Sequence, residues 1–396
     1  MNRNIKAVLA VSVFFGIATG SYEFVLPYFL AEIGLSFQNM GTIFAIAAAG
    51  MLLVRVLMGR LADVWGRKLF YGLSLGGSAA AMWFTPTSGS VFGQSAIKAI
   101  REAMFLTRDT LHPVILYEEH RGKFMSFMGK TRGWEFLFQA AGTLLSGALM
   151  TGLFLFGARR VLNAGGNLKL AGAIMAVGFV IFWFVFRERP REEEGRVSTG
   201  GFGDLFSLRM HHNLKVIMVS VFIFNIGIST SHNFIMPLFF SEKFHASTYA
   251  VSWVMVLHRA SIALPLLLAG TLRIRNLKGA YIWALVFEGV VLSASALIPN
   301  FYGAAIVWLL HDLLGAGVWI PVQNLIIQDH THPDRRALEM GKILAYGGIG
   351  TIIGPYLAGV LSQHVNVSAP YFVSGMLMVI AAAALAPMRL GEAAHQ

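Results

Sequence analysis

The chain has 396 residues, of which 56% are hydrophobic and only 13% charged, with a mean hydropathy of +0.64. Soluble domains carry about 25% charged residues, so this composition excludes an ordinary soluble fold. The net charge of +11 would suit a nucleic-acid binder,. Here the basic residues sit in short loops between apolar stretches, a membrane-topology pattern, and no nucleic-acid partner is expected. The chain has no cysteine, which rules out disulfides, thiol catalysis and cysteine-based metal sites,.

Apolar stretches of about 20 residues fit a hydrocarbon core of roughly 30 Å. In chain order they predict transmembrane helices over 7–30, 38–59, 68–87, 90–116, 124–153 and 168–187. A second set follows over 213–240, 248–272, 277–298, 301–328, 340–362 and 369–390. The first span has a basic flank, Arg3 and Lys6, like a signal peptide. It runs too long and too many spans follow, so it reads as a retained helix. Between the sets, RERPREEEGR and STGGFG mark a solvated linker,. The expected organisation is a six-helix bundle over 1–187, a linker over 188–212 and a second bundle over 213–396.

Lys and Arg fall unevenly between the two sides. With the N-terminus inside, twenty lie on the inner side and four on the outer: Arg159, Arg160, Lys169 and Lys243. Both termini are therefore expected in the cytoplasm. The halves also repeat. Ser21–Glu32 reads SYEFVLPYFLAE and Ser231–Glu242 reads SHNFIMPLFFSE. Met128-Gly129-Lys130 returns as Met340-Gly341-Lys342, and at that offset Gly142 meets Gly354 and Gly147 meets Gly359. A duplicated unit with an even number of helices gives two halves of the same orientation.

Between the second and third spans stands Gly59-Arg60-Leu61-Ala62-Asp63-Val64-Trp65-Gly66-Arg67-Lys68. This resembles the signature loop of the major facilitator superfamily, GxxxDRxGRR/K, with Val64 in place of the usual arginine. The matching loop of the second half keeps Gly270, Arg275 and Lys278 but has Ile274 at the acidic position. The resemblance implies an all-α membrane protein of twelve transmembrane helices in two pseudo-symmetric six-helix bundles. It also implies a cytoplasmic latch made by Gly59, Asp63, Gly66, Arg67 and Lys68. The antiporter pattern GxxxGPxxGG is missing from the fifth span, and its fuller version, Gly350 to Gly359 with Pro355, sits in the eleventh. Close helix packing is the reading preferred for these glycines.

A charge at the bilayer centre costs roughly 2.5–3.5 kcal/mol on insertion scales, so such residues should face a cavity or a partner. The resemblance places spans 1, 4, 7 and 10 around the central cavity. Span 1 offers Glu23, one turn before Pro27, with Asn233 as its counterpart in the repeat. In span 4, Lys98, Arg101, Glu102, Phe105, Arg108 and Asp109 fall within about 120° of one another at helical periodicity,. Pairing of Lys98 with Glu102 is expected there, and a topology role for Arg108 and Asp109 near the inner end. His232 (span 7), His258 and Arg259 (span 8), and His311 and Asp312 (span 10) complete the candidate set. Histidine beside a carboxylate suits proton exchange near neutral pH. Glu135 is expected to pair with Arg132 or Lys130, and Glu288 to stand away from the cavity centre.

The chain has no GxxxxGK[ST], HExxH or GxSxG. No ATP-driven step, enzyme activity, cofactor or metal is expected; the adjacent His211 and His212 in the linker are the nearest approach to a metal pair. The expectation is a monomeric secondary active transporter in the cell membrane that moves a small organic solute by alternating access. The cationic excess of span 4 favours an anionic or zwitterionic solute. Glu23, His311 and Asp312 suggest proton coupling. Two other readings compete: a proton-antiport multidrug exporter, and a non-transporting receptor or assembly scaffold.

Overall fold

The computed structural model describes residues 3–119, 124–151, 162–188, 210–268, 274–330 and 336–389. The first half comprises α1 (Arg3–Glu32), α2 (Phe37–Trp65), α3 (Arg67–Phe84), α4 (Val91–Glu119), α5 (Phe124–Thr151) and α6 (Ala164–Val185). The second comprises α7 (His212–Ser231), α8 (Ile235–Phe244), α9 (Thr248–Leu268), α10 (Leu277–Leu297), α11 (Phe301–Leu310), α12 (Gly317–His330), α13 (Arg336–His364) and α14 (Ala369–Ala383). These helices occupy all twelve expected spans. Most of the expected linker, 189–209, and the outer pair Arg159–Arg160 lie outside the described residues.

Two spans expected to be continuous are broken. Span 7 stops at Ser231 and resumes at Ile235, with Asn233 between them in the left-handed region at φ 61°. Asn tolerates that conformation better than most residues. Pro237, four residues on, has no N–H to hold the Asn233 carbonyl in a helix,. Span 10 passes through a π-helical turn, His311–Ala316, between α11 and α12. Such turns insert an extra residue and re-aim the side chains around them.

Among the described residues, six stretches are long and apolar enough to cross a membrane: Arg3–Glu32, Ala164–Val185, His212–Ser231, Leu277–Leu297, Phe301–Ile327 and Lys342–His364. α4 is not among them. Its charges make it too polar to face lipid, and it is covered by α2 and α3.

The packing repeats as the sequence does. In the first half α1 lies on α5 and α6, and α3 on α4 and α6. In the second, α7 lies on α13 and α14, and α10 on α11, α12 and α14. The halves meet chiefly along α2–α13 and α5–α9. The repeated glycines sit at equivalent places. A Cβ on Gly142 would stand 2.1 Å from the Ile17 carbonyl oxygen, and one on Gly354 would stand 2.7 Å from that of Ile226. Both contacts are inside a half. A Cβ on Gly147 would meet the Ser252 side chain at 2.4 Å, and one on Gly359 the Phe37 carbonyl at 2.5 Å. Both of those join the halves.

Contacts between the halves are dense at the end of the bundle expected to face outward. Phe37 N donates to Gln363 Oε1 at 3.2 Å, and His364 Nε2 lies 3.3 Å from Gln38 Oε1. A Cβ on Gly41 would stand 2.4 Å from the Pro355 carbonyl. At this end the two bundles touch backbone to backbone.

Overpacking a close contact costs about 1–3 kcal/mol. Gly142→Ala is expected to lower the melting temperature of the purified, detergent-solubilised protein by several degrees. Gly133→Ala, in the same helix with no atom within 4 Å of the new methyl, should leave it unchanged or raise it. Equal melting temperatures for the two variants would remove the packing role of Gly142.

Candidate functional site

A cavity of about 370 Å³ lies between the halves. Its polar lining includes Glu23, Lys98, Glu102, Asn233, His258 and Arg259, and its apolar lining includes Phe24, Phe44, Met51, Met236 and Met255. Spans 1, 4 and 7 contribute as expected. Spans 2, 5, 8 and 11 also line the cavity, through Phe44, Thr143, Arg259 and Thr351 among others, whereas no residue of span 10 belongs to its lining.

An ion cluster crosses the cavity. Glu23 Oε1 lies 3.3 Å from Arg101 in the same half, and Glu23 Oε2 lies 3.0 Å from Arg259 in the other. Arg101 also meets Glu102 at 2.8 Å, and Lys98 meets the same oxygen at 2.8 Å, the expected pair one turn apart. Arg259 donates in addition to Gln139 Oε1 on α5. The Arg101 side chain is almost fully buried and lies between the rings of Tyr22 and Phe105, while Glu23 keeps 40% of its surface open to the cavity. Lys98 Nζ sits 4.1 Å from the Phe44 ring centre. Three cations and two carboxylates leave the cluster one charge positive.

A second network lies within the first half, and it corrects the topology role expected for Arg108. That side chain is wholly buried and bridges to Glu135. Glu135 also binds Arg132 at 3.2 Å, and Arg132 reaches Asp109. Arg108 Nε donates to Tyr71 Oη at 3.1 Å, and Ser12 Oγ donates to Glu135 Oε1 at 3.1 Å. Glu135 thus has Arg132 as expected and Arg108 besides. Arg108 and Glu135 sit on different helices, so sequence spacing gives no sign of the second pair.

A third cluster gathers His232, His258, His311 and Asp312 at the two breaks in the second half. His258 Nδ1 and His311 Nε2 both reach the Asp312 carboxylate, the latter at 3.2 Å. His232 Nε2 lies 3.1 Å from His311 Nε2, and its Nδ1 lies 3.0 Å from Ser231 Oγ. Of the four, only His258 lines the cavity. Glu288 is buried away from the cavity, against the π-helical turn, where a Cβ on Gly315 would stand 3.1 Å from its Oε2.

The loop between α2 and α3 has its own arrangement. Gly66 takes φ 100°, which L-residues with a side chain rarely adopt,. The backbone amides of Arg67 and Lys68 then donate to the Glu188 carboxylate at 3.0 and 2.6 Å. A carboxylate at a helix N-terminus satisfies free amides and the helix dipole together. Glu188 falls in the expected linker, and its capping role has no sequence signature. Gly59 and Asp63 belong to α2, and their side chains lie outside the described residues.

Comparison with known proteins settles the family. A sequence model described as "Major Facilitator Superfamily" matches residues 8–239 and 217–395. The chain belongs to the major facilitator superfamily. It is a multi-pass membrane transporter of that superfamily, not an enzyme. It is 22% identical over 367 residues to Multidrug resistance protein 2 of Bacillus subtilis (strain 168), covering 90% of this chain and 88% of that one. It is 23% identical over 153 residues to the proton-coupled antiporter flippase LtaA of Staphylococcus epidermidis, covering 37% and 38% of the two chains. Among solved structures, a point mutant of the nucleoside transporter NupG superposes with a TM-score of 0.82 at 14% identity, over 97% of this chain and 99% of that one. An inward-facing bacterial homolog of the human lysosomal transporter Spinster gives 0.76 at 14%, over 97% and 95%. At such identities the structures speak for the fold alone.

Removing one partner of a buried ion pair costs about 3–5 kcal/mol, because the other charge is left uncompensated. Glu135→Gln is expected to destabilise the transporter by that order. The double variant Arg108→Met with Glu135→Leu should recover most of the loss. Thermal melting of the detergent-solubilised proteins measures both, and a double variant as unstable as the single one would count against the pair as a closed unit.

Proposed function

We propose that this transporter carries a small organic anion or zwitterion by alternating access, coupled to protons taken up at Glu23. One observation carries the reading: Glu23 is held by Arg101 of one half and Arg259 of the other, in the wall of the cavity. The carboxylate is then the tie across the cavity. When Glu23 is protonated, its attraction to both arginines falls, and the cluster changes from one to two net positive charges. A solute carboxylate or phosphate entering the cavity takes the place that Glu23 gives up. Because the two arginines sit in different halves, this exchange favours one relative position of the halves over another, which is what coupling requires. The positive-inside count supports an orientation with both termini in the cytoplasm.

A second reading has its own support. The relative matched over most of its length is named a multidrug resistance protein, and the cavity has a wall of Phe and Met. A proton-antiport exporter of apolar cations would use Glu23 as the carboxylate that cation and proton share. The two readings differ in the role of the surrounding cations. An anion carrier needs Lys98 and Arg101, whereas an exporter of cations is hindered by them.

The test is flux in proteoliposomes with an imposed pH gradient, using panels of organic anions, zwitterions and lipophilic cations. Anion or zwitterion flux that follows the gradient is expected. Glu23→Gln should abolish gradient-driven accumulation while sparing solute exchange without a gradient. Lys98→Gln should raise KM about tenfold, the equivalent of 1.4 kcal/mol. Flux of lipophilic cations alone, increased by Lys98→Gln, would replace this reading with the second. A protein with no ligand-dependent change in access, and a span 4 stripe tolerant of substitution, would fit a scaffold instead.

The α2–α3 loop acts as the cytoplasmic latch in this scheme, through Gly59, Asp63, Gly66, Arg67 and Lys68. Asp63→Asn is expected to increase labelling of a single cysteine placed on the cytoplasmic side of the cavity in the cysteine-free background. Unchanged labelling and transport would remove Asp63 from the latch.

A further inference from the structure

We propose that His232, His258 and Asp312 form a binding site for a divalent transition-metal ion, with His311 beside it. One donor atom from each of the first three lies within 4.8 Å of the others. The residues come from three separate spans, and two of them sit at the breaks in the helices: His232 beside the left-handed Asn233, and Asp312 in the π-helical turn. Two interruptions of regular helix thus deliver ligands to one point.

The hydrogen bonding around the cluster favours a cation at its centre. His311 Nδ1 faces the Trp308 carbonyl oxygen, so that nitrogen carries the proton and the neutral ring presents an Nε2 lone pair,. That Nε2 points at His232 Nε2, 3.1 Å away, and at Asp312 Oδ1, 3.2 Å away. Electron-pair donors converge there. A tetrahedral zinc, with bonds of about 2.0–2.1 Å, holds its donors roughly 3.4 Å apart. The outer contacts also match a metal site. Ligating histidines commonly engage a backbone carbonyl or other polar group through the second ring nitrogen, as His232 does with Ser231 Oγ.

Imidazole with one carboxylate suits zinc, iron, cobalt and nickel better than magnesium or calcium. Because His258 lines the cavity, an ion reaches the cluster from the same space the solute occupies. The proposal does not depend on the solute reading, since it requires neither an anion nor proton coupling.

The experiment uses the full-length protein, tag removed, purified in detergent and stripped with a chelator. Cobalt(II) is added as a spectroscopic probe, and zinc as a competitor. One cobalt per chain is expected, with the visible absorption of a tetrahedral nitrogen–oxygen site that zinc abolishes. His258→Gln and Asp312→Asn should each weaken binding at least tenfold, while His211→Ala with His212→Ala, and separately Glu23→Gln, should leave it unchanged. Size-exclusion chromatography checks the fold of each variant, and His232→Gln replaces any that elutes misfolded. Absence of the cobalt band, equal affinity in the cluster variants, or loss of binding with His211 and His212 would overturn the site.

Discussion

A charge inside a bilayer has to be answered inside the protein, and much of this structure follows from that constraint. α4 crosses the membrane with Lys98, Arg101, Glu102, Arg108 and Asp109, and cannot turn any of them toward lipid. The chain answers in two ways. Toward the end expected to face the cytoplasm, Arg108 is closed off with Glu135, Tyr71 and Ser12. Midway along, Arg101 is buried behind the cavity wall, paired with Glu102 and with Glu23, and both of those carboxylates line the cavity. The first arrangement is structural. The second leaves a pairing that can be exchanged, the starting point for the proposed transport cycle.

The two halves divide this work unequally. Their backbones follow one plan, since the same glycines bring equivalent helices together in each. Their chemistry does not. The first half contributes carboxylates and strong bases to the cavity, and the second contributes one arginine, Asn233 and a histidine cluster behind it. Arg259 is the only one of the five charges in the central cluster that comes from the second half, so within that cluster the link across the cavity runs through a single guanidinium and its two acceptors, Glu23 and Gln139.

Whatever depends on local pattern was legible in the sequence. Apolar windows placed the spans, the repeat at Ser21 and Ser231 paired the halves, and the Gly59–Lys68 loop pointed to the family. The Lys98–Glu102 pair followed from helical spacing alone. Features decided by contact between distant segments were not legible. Nothing near Arg108 announces Glu135, 27 residues on in another helix, and nothing near Gln139 announces Arg259. The breaks in spans 7 and 10 were also missed: the polar run Ser229 to Asn233 and the pair His311-Asp312 interrupt the apolar pattern, but polar residues inside a span do not by themselves say that the helix stops. The convergence of three histidines on Asp312 follows from those breaks, so it could not be read without them.

The backbone contacts between α2 and α13 bear on leakage. Where Gly41 meets Pro355 and Gly359, no side chains stand between the helices, and no space remains for a file of water molecules. Protons cross membranes readily along such files, so a seal made of bare backbone insulates better than one made of polar side chains that can swing aside. It also has no intermediate setting. Small residues in contact leave nothing to rearrange by degrees, so the seam parts by movement of whole helices.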